Sequence, residues 1–330
     1  MVRDRSDLSC VTACNERLDA SSAGALFTMF SNVASLPEAA EDGLWSCSWC
    51  LGGLVTGSCD EIVRSFTVTS DNRIERKSEF RGHVLGITSV STANGTREGQ
   101  GIAVSSSLDS HIRVWDLDKE TELCAIDAGP VEAWTVALSA DGTTIASGSQ
   151  GGSINLWSVA SGGRIQTLPT GTANFVMSVA HSPTGIHVAC ATADGNVFLF
   201  DVAKNRLKAK LDSHAATVRA LAFSTDGAHL ASGADDARIV LYDVQNASPV
   251  AVLEGHGSWV LGLAFSPDSA LLASCGADRS VRLWDVASRA HVQTIADAHT
   301  DQAWAVAFDP TNNRRFASVG DDRAIHIWAA

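Results

Sequence analysis

Ser274-Cys-Gly-Ala-Asp-Arg-Ser-Val-Arg-Leu-Trp-Asp-Val286 is the stretch from which the rest of the chain can be read, because variants of it recur almost from end to end. Anchored on Trp284, an aromatic residue returns at Phe66, Trp115, Trp157, Phe200, Tyr242, Trp284 and Trp328, at intervals of 49, 42, 43, 42, 42 and 44 residues. A period of about 40 to 45 residues with several short strands per unit is the signature of a propeller blade. Seven anchors predict an all-β, seven-bladed ring.

A second register runs in phase with the first. Six residues before each anchor stand Asp60, Asp109, Gly151, Asp194, Asp236, Asp278 and Asp322, and four residues earlier stand Thr56, Ser105, Ser147, Cys190, Ser232, Ser274 and Ser318. Four units add an upstream histidine: His83, His214, His256 and His299. His, Ser and Asp in one unit suggest a hydrolytic triad, but a catalytic site occurs once and this set repeats around the ring. Structural tetrads are therefore expected at His83, Ser105, Asp109 and Trp115, at His256, Ser274, Asp278 and Trp284, and at His299, Ser318, Asp322 and Trp328. Each is a buried network that rigidifies one packing when every polar group is satisfied.

No other motif carries chemistry. There is no phosphate-binding glycine loop after a strand, no HExxH and no GxSxG elbow. The Cys47-Ser-Trp-Cys50 pair lies in a predicted strand, where residues three apart face opposite sides. No second pair completes a zinc site. The expectation is a protein without catalytic residues, metal or cofactor.

The repeat runs from about Leu44 to Trp328 without a linker, so one domain is expected over residues 24 to 330, preceded by a mobile polar tail at 1 to 23. A net charge of −13 argues against a phosphate-binding surface and for protein partners. The eight cysteines lack a disulfide spacing, no apolar signal-peptide core opens the chain, and no run reaches the length of a membrane span. A cytoplasmic or nuclear location follows as an expectation. Because Trp328 falls on the third strand of the last blade, the apolar segment at 24 to 34 is predicted to supply the fourth and close the ring without an open edge. A Gly-rich excursion at 93 to 101 reads as a solvent loop.

Binding residues are sought where each innermost strand begins, at one mouth of the central channel. Four positions before the last apolar residue of that strand, the units read Trp45, Thr88, Trp134, Met177, Arg219, Leu261 and Trp304; six before, they read Gly43, Gly86, Glu132, Phe175, Thr217, Trp259 and Gln302. Trp, Arg and Met are enriched at interface cores and hot spots. The predicted protein-binding rim is Trp45, Trp134, Phe175, Met177, Arg219, Trp259, Leu261 and Trp304, edged by Leu108, Asp235 and Asp321.

Gly82-His83, Gly255-His256, Trp115-Asp116 and Trp284-Asp285 resemble the WD-repeat family over about nine-tenths of the chain. Within that family, Ser105 to Leu117, Asp127 to Thr135, Ser258 to Asp268 and Ser318 to Trp328 are similar to the WD-repeat subunits of superkiller complexes. Asp127-Ala-Gly-Pro-Val-Glu-Ala-Trp-Thr135 and Ser318 to Trp328 are the more telling stretches; generic third blades open with Gly-His where this chain has Gly129-Pro130. The resemblance implies a scaffold that binds a tetratricopeptide subunit, helps it hold an RNA helicase, and supports 3′-to-5′ mRNA decay by the exosome, as a monomer within a hetero-complex. It further implies relatives in the nuclear polymerase-associated factor complex, which acts in transcription elongation, and a meiotic role in fungi. The chain departs from the family at Ala40-Glu41, where a His is usual, and in its N-terminal extension. The alternative reading is a scaffold of another assembly, a chromatin-modifying complex or a ubiquitin-ligase substrate receptor.

Overall fold

A computed structural model describes residues 29–51, 53–93, 101–130, 133–212 and 214–330. The expected tail at 1 to 23, the start of the expected closing segment, most of the glycine-rich excursion and Glu132 lie outside the described residues.

Twenty-eight strands form seven four-stranded antiparallel sheets among the described residues. After β1 (Ser31–Leu36), blade one comprises β2 (Leu44–Cys50), β3 (Gly53–Ser58), β4 (Val63–Val68) and β5 (Ile74–Phe80). Blade two comprises β6 (Ile87–Ala93), β7 (Ile102–Ser107), β8 (His111–Asp116) and β9 (Thr121–Asp127). Blade three comprises β10 (Thr135–Leu138), β11 (Thr144–Gly148), β12 (Ser153–Ser158) and β13 (Arg164–Pro169). Blade four comprises β14 (Val176–His181), β15 (His187–Thr192), β16 (Asn196–Asp201) and β17 (Arg206–Asp212). Blade five comprises β18 (Val218–Phe223), β19 (His229–Ala234), β20 (Arg238–Asp243) and β21 (Ser248–Glu254). Blade six comprises β22 (Val260–Phe265), β23 (Leu271–Gly276), β24 (Val281–Asp285) and β25 (Ala290–Ile295). Blade seven holds β26 (Ala303–Phe308), β27 (Arg315–Gly320) and β28 (Ile325–Ala329), with β1 as its outer strand. The protein is a seven-bladed β-propeller.

Its core is not one cluster but seven, one in each seam between neighbouring blades. Period-2 strands make this possible, since alternate residues face opposite sides of a sheet. On β23, Leu271, Ala273 and Cys275 pack toward blade seven while Leu272 packs toward blade five. Every anchor aromatic lies in the seam with the preceding blade: Trp115 beside blade one, Trp284 beside blade five, Trp328 beside blade six. The two cysteines of the CxxC string divide likewise, Cys47 in the seam with blade seven and Cys50 in the seam with blade two. Burial pushes the Cys47 thiol up to about 12.

Closure is made by β1, which pairs antiparallel with β28 from Ser31↔Ala329 to Leu36↔Ile325. The pairing strand is displaced from the segment expected at 24 to 34 and ends at Leu36. Phe30, which the sequence pattern places inside that strand, instead turns inward and packs on Phe316 with ring centroids 5.2 Å apart. A large ring at the seam between blades six and seven gains more from burial there than from a place on the exposed outer strand.

Candidate functional site

The polar repeat becomes four hydrogen-bonded networks. In blade six, Trp284 Nε1 donates to Ser274 Oγ at 2.9 Å, Ser274 Oγ meets His256 Nε2 at 2.8 Å, and His256 Nδ1 meets Asp278 at 3.0 Å. An indole N–H can only donate, so the serine proton goes to Nε2, and the histidine carries its own proton on Nδ1 toward the aspartate. Blade two repeats this with Trp115, Ser105, His83 and Asp109, and blade seven with Trp328, Ser318, His299 and Asp322. Blade five has a fourth network through Ser232, His214 and Asp236, with the Tyr242 hydroxyl 3.1 Å from Ser232. That set was legible in the same register, with tyrosine in place of tryptophan.

These networks fix the loops that carry the rim. Each aspartate also accepts the backbone N–H after the histidine, from Val84, Gly257 or Thr300, and the N–H two residues beyond itself, from His111, Ser280 or Ala324. The loop entering the inner strand is thereby tied to the turn between second and third strands. Burial raises the carboxyl of Asp322, but the bonds and charge of His299 outweigh it and hold the group down at about 2. Asp278 is pushed lower still in the same way, and Asp109 is lowered by His83 against its own burial.

Blade one solves the same problem differently. It has no histidine, and Asp60 is bound by the buried Arg64 at 2.8 Å and by the backbone N–H of Glu41. Arg64 also reaches Glu79 at 3.3 Å. Sequence reading missed this pair, because its one signal is a cation two residues before the aromatic anchor, a position where blades two and six also carry an arginine, Arg113 and Arg282, beside a histidine-based network.

At the mouth of the channel the predicted rim side chains meet in pairs across seams. Trp45 of blade one packs on Trp304 of blade seven with centroids 5.6 Å apart, and its Nε1 donates to Asp321 at 3.1 Å. Trp134 of blade three meets Phe175 of blade four edge-on at 5.6 Å. Arg219 of blade five binds Asp235 through two bonds of 2.5 and 2.9 Å and lies 4.7 Å from the ring of Trp259 on blade six. Trp259 is 44 % exposed. A cavity of about 380 Å³ beneath them is lined by Trp45, Trp134, Met177, Arg219, Leu261 and Trp304. The Trp304 Nε1 is buried with no hydrogen-bond partner among the described residues.

Leu261 departs from expectation. It is only 7 % exposed and forms part of the channel wall, inside β22, whereas Trp259 precedes that strand. The rim also has members the alignment did not select. Val84 and Leu85, in the loop after His83, are exposed beside the exposed Leu108, whose N–H bonds the Gly86 carbonyl. Their signal was position alone, directly after a Gly-His opening.

His299, Asp322 and His326 are the described residues that cluster with metal-ligand composition. Both nitrogens of His299 already serve the blade-seven network, and His326 Nδ1 lies 2.8 Å from Ser35 Oγ on the closing strand. The cluster belongs to the seam.

Comparison with known proteins gives the same repeat. The family pattern described as WD domain, G-beta repeat matches residues 74–116, 127–158, 162–201, 205–243, 247–285 and 290–329. Five of the six matches span the outer strand of one blade and three strands of the next, and the match at 127–158 begins on the last residue of β9, so the unmatched seventh unit is the one that begins at β1 and passes into blade one. The chain is 34 % identical over 209 residues to WD repeat-containing protein VIP3 of Arabidopsis thaliana, covering 58 % of this chain and 63 % of that protein. It is 33 % identical over 199 residues to WD repeat-containing protein SL1-17 of Schistosoma mansoni, covering 58 % and 64 %. Over 103 residues it is 31 % identical to superkiller complex protein 8 of Dictyostelium discoideum, covering 31 % and 33 %. The matched stretches thus span less than two thirds of these relatives. With six repeats matched over more than half of its length and the His-Ser-Asp-Trp networks formed in space, the chain belongs to the WD40-repeat family.

Proposed function

We propose that this protein is a non-catalytic adaptor of a superkiller-type assembly, present in the cytoplasm and also in the nucleus. Its rim receives a segment of a tetratricopeptide subunit and so helps to hold an RNA helicase that feeds RNA to the exosome for 3′-to-5′ decay. The observation that carries this reading is the tryptophan-lined channel mouth, where Trp259 stands exposed and the Trp304 N–H lacks an acceptor among the described residues. Aromatic anchors over a partly desolvated hollow are what binding hot spots are made of. The similarity to superkiller complex protein 8 of Dictyostelium discoideum supports the choice of assembly.

The absence of catalysis rests on the serines. Ser105, Ser232, Ser274 and Ser318 are fully buried, and each hydroxyl is engaged by its histidine and by the anchor tyrosine or tryptophan. A nucleophile must reach its substrate. Replacing Trp134 and Trp304 together by Ala should leave the melting temperature within a few degrees and abolish capture of the tetratricopeptide subunit. Retained capture would count against the rim. Recovery of polymerase-associated factor subunits instead, from native lysate, would move the same rim to transcription elongation.

A further inference from the structure

The most cationic stretch of this acidic chain is the outer strand of blade four and the turn before it. Residues 203 to 210 hold Lys204, Arg206, Lys208 and Lys210 with no acid among them, in a chain of net charge −13. Arg206, Leu207 and Lys208 follow one another on β17, where the pairing with β16 shifts register and strict alternation of side chains is broken. They border a hollow of about 570 Å³ together with Lys204 and His187. This hollow is at the opposite end of the propeller from the tryptophan rim. Strand β14 leaves the rim at Phe175 and Met177 and descends to His181; the turn that follows it, and the turn after β16, shape the hollow.

Half of this charge is balanced internally: Lys204 is paired with Asp201 at 2.7 Å and Lys210 with Asp212 at 3.0 Å, which leaves Arg206 and Lys208. Lys208 Nζ is held at 2.7 Å by the Val244 carbonyl of blade five, which fixes its position without cancelling its charge. The Arg206 guanidinium has no ion pair or hydrogen bond among the described residues, while its backbone pairs with Asp201. His187, 3.4 Å from Lys208 Nζ, has its imidazole pushed down by burial and then by Lys208 and Lys204, against Asp201. Beside the cations, Ile186 and Leu207 expose aliphatic side chains.

We infer that the lower end of blade four is a second docking site, which takes an extended segment of a partner protein bearing carboxylate side chains for Arg206 and Lys208 and an aliphatic side chain against Ile186 and Leu207. Being on the other end of the ring, it is free when the rim is occupied. A peptide fits better than RNA. The cationic stretch is short and the chain around it is acidic, so a polyanion with a charge at every nucleotide would meet repulsion beyond the site. The lining of the hollow has no Trp, Tyr or Phe on which a base could stack.

The test is fluorescence anisotropy of the full chain with a fluorescein-labelled octapeptide of alternating Glu and Leu, at low salt. Saturable binding is expected, weakening at least about tenfold for Arg206→Glu, lost when Gln replaces Glu in the peptide, and unchanged by the paired Trp134→Ala and Trp304→Ala substitutions. The Arg206 guanidinium bonds nothing among the described residues, so Arg206→Glu leaves the fold intact; Lys208→Met, which removes the contact to blade five, is the second variant and is read only with an unchanged melt. Absence of saturable binding, or affinity indifferent to Arg206→Glu, overturns the inference. Loss of binding through the rim substitutions would assign the peptide to the rim instead, and tighter binding of a uridine octanucleotide with the same Arg206 dependence would make this a phosphate site.

Discussion

Gln293 clasps Phe30 through both of its amide atoms. Its Oε1 accepts the Phe30 N–H at 2.8 Å and its Nε2 donates to the Phe30 carbonyl at 2.8 Å. The two residues are 263 positions apart, and the amide side chain of blade six serves as a short length of partner strand for the chain just before β1. Buried backbone groups must find partners, and here one side chain satisfies both.

Gln293→Ala leaves that N–H and carbonyl unpaired in a buried seam. A loss of about 2 to 4 kcal/mol is expected, taking roughly 1 to 2 for each orphaned group. Hydrogen exchange should show Ser31 to Leu36 opening while blades three and four keep their protection. Deleting residues 1 to 34, which removes the clasp and most of the strand, should lower the melting temperature sharply; an unchanged melt would show that β1 does not hold the ring.

Asp278→Ala strands the Nδ1–H of His256 and the N–H of Gly257. Destabilisation by about 1 to 3 kcal/mol is expected by urea denaturation, as for a buried group deprived of its partner. An effect below 0.5 kcal/mol, on the order of an exposed substitution, would mean that the network contributes little beyond packing.

Arg64→Ala in blade one removes the cation that stands where blades two, five, six and seven use a histidine. Asp60 would then stay buried and charged beside Glu79, and breaking such a pair costs about 3 to 5 kcal/mol. Arg64→Lys should recover part of this, since the charge returns without the two-armed geometry.

Acid should weaken the fold in two phases. Burial pushes the His181 imidazole down to about 4 against the pull of Asp141, and pushes His326 to about 4 through burial and the neighbouring His299, against Asp322. Both titrate near 6.5 when unfolded. Between those values the unfolded chain binds more protons, so stability falls as pH drops from about 6.5 to about 4. For His181, with both ring nitrogens buried and unpartnered among the described residues, the loss is at most about 3 kcal/mol. The second phase starts below about pH 4, where Asp322, held at about 2, and Asp278 begin to lose their bonds. His181→Phe restores the residue type found at the same place in Phe223, Phe265 and Phe308. Denaturation at a series of pH values should show the upper phase reduced in that variant and the lower phase intact.

The ring was legible from the chain alone because a blade is a local object. Its strands are joined by short turns, and its anchor aromatic and its Ser and Asp lie within about ten residues of one another, so the period of the residues is the period of the fold. His256, Ser274, Asp278 and Trp284 could be grouped before any coordinate was known for the same reason. Contacts between blades carry no such periodic trace. Nothing in the order of residues joins Trp45 to Trp304 and Asp321, Arg219 to Trp259, or Gln293 to Phe30. Those pairings depend on how the sheets stack and where the circle closes. The burial of Leu261 beside an exposed Trp259 was decided in the same way, by depth in a channel that exists only when all seven blades face one another.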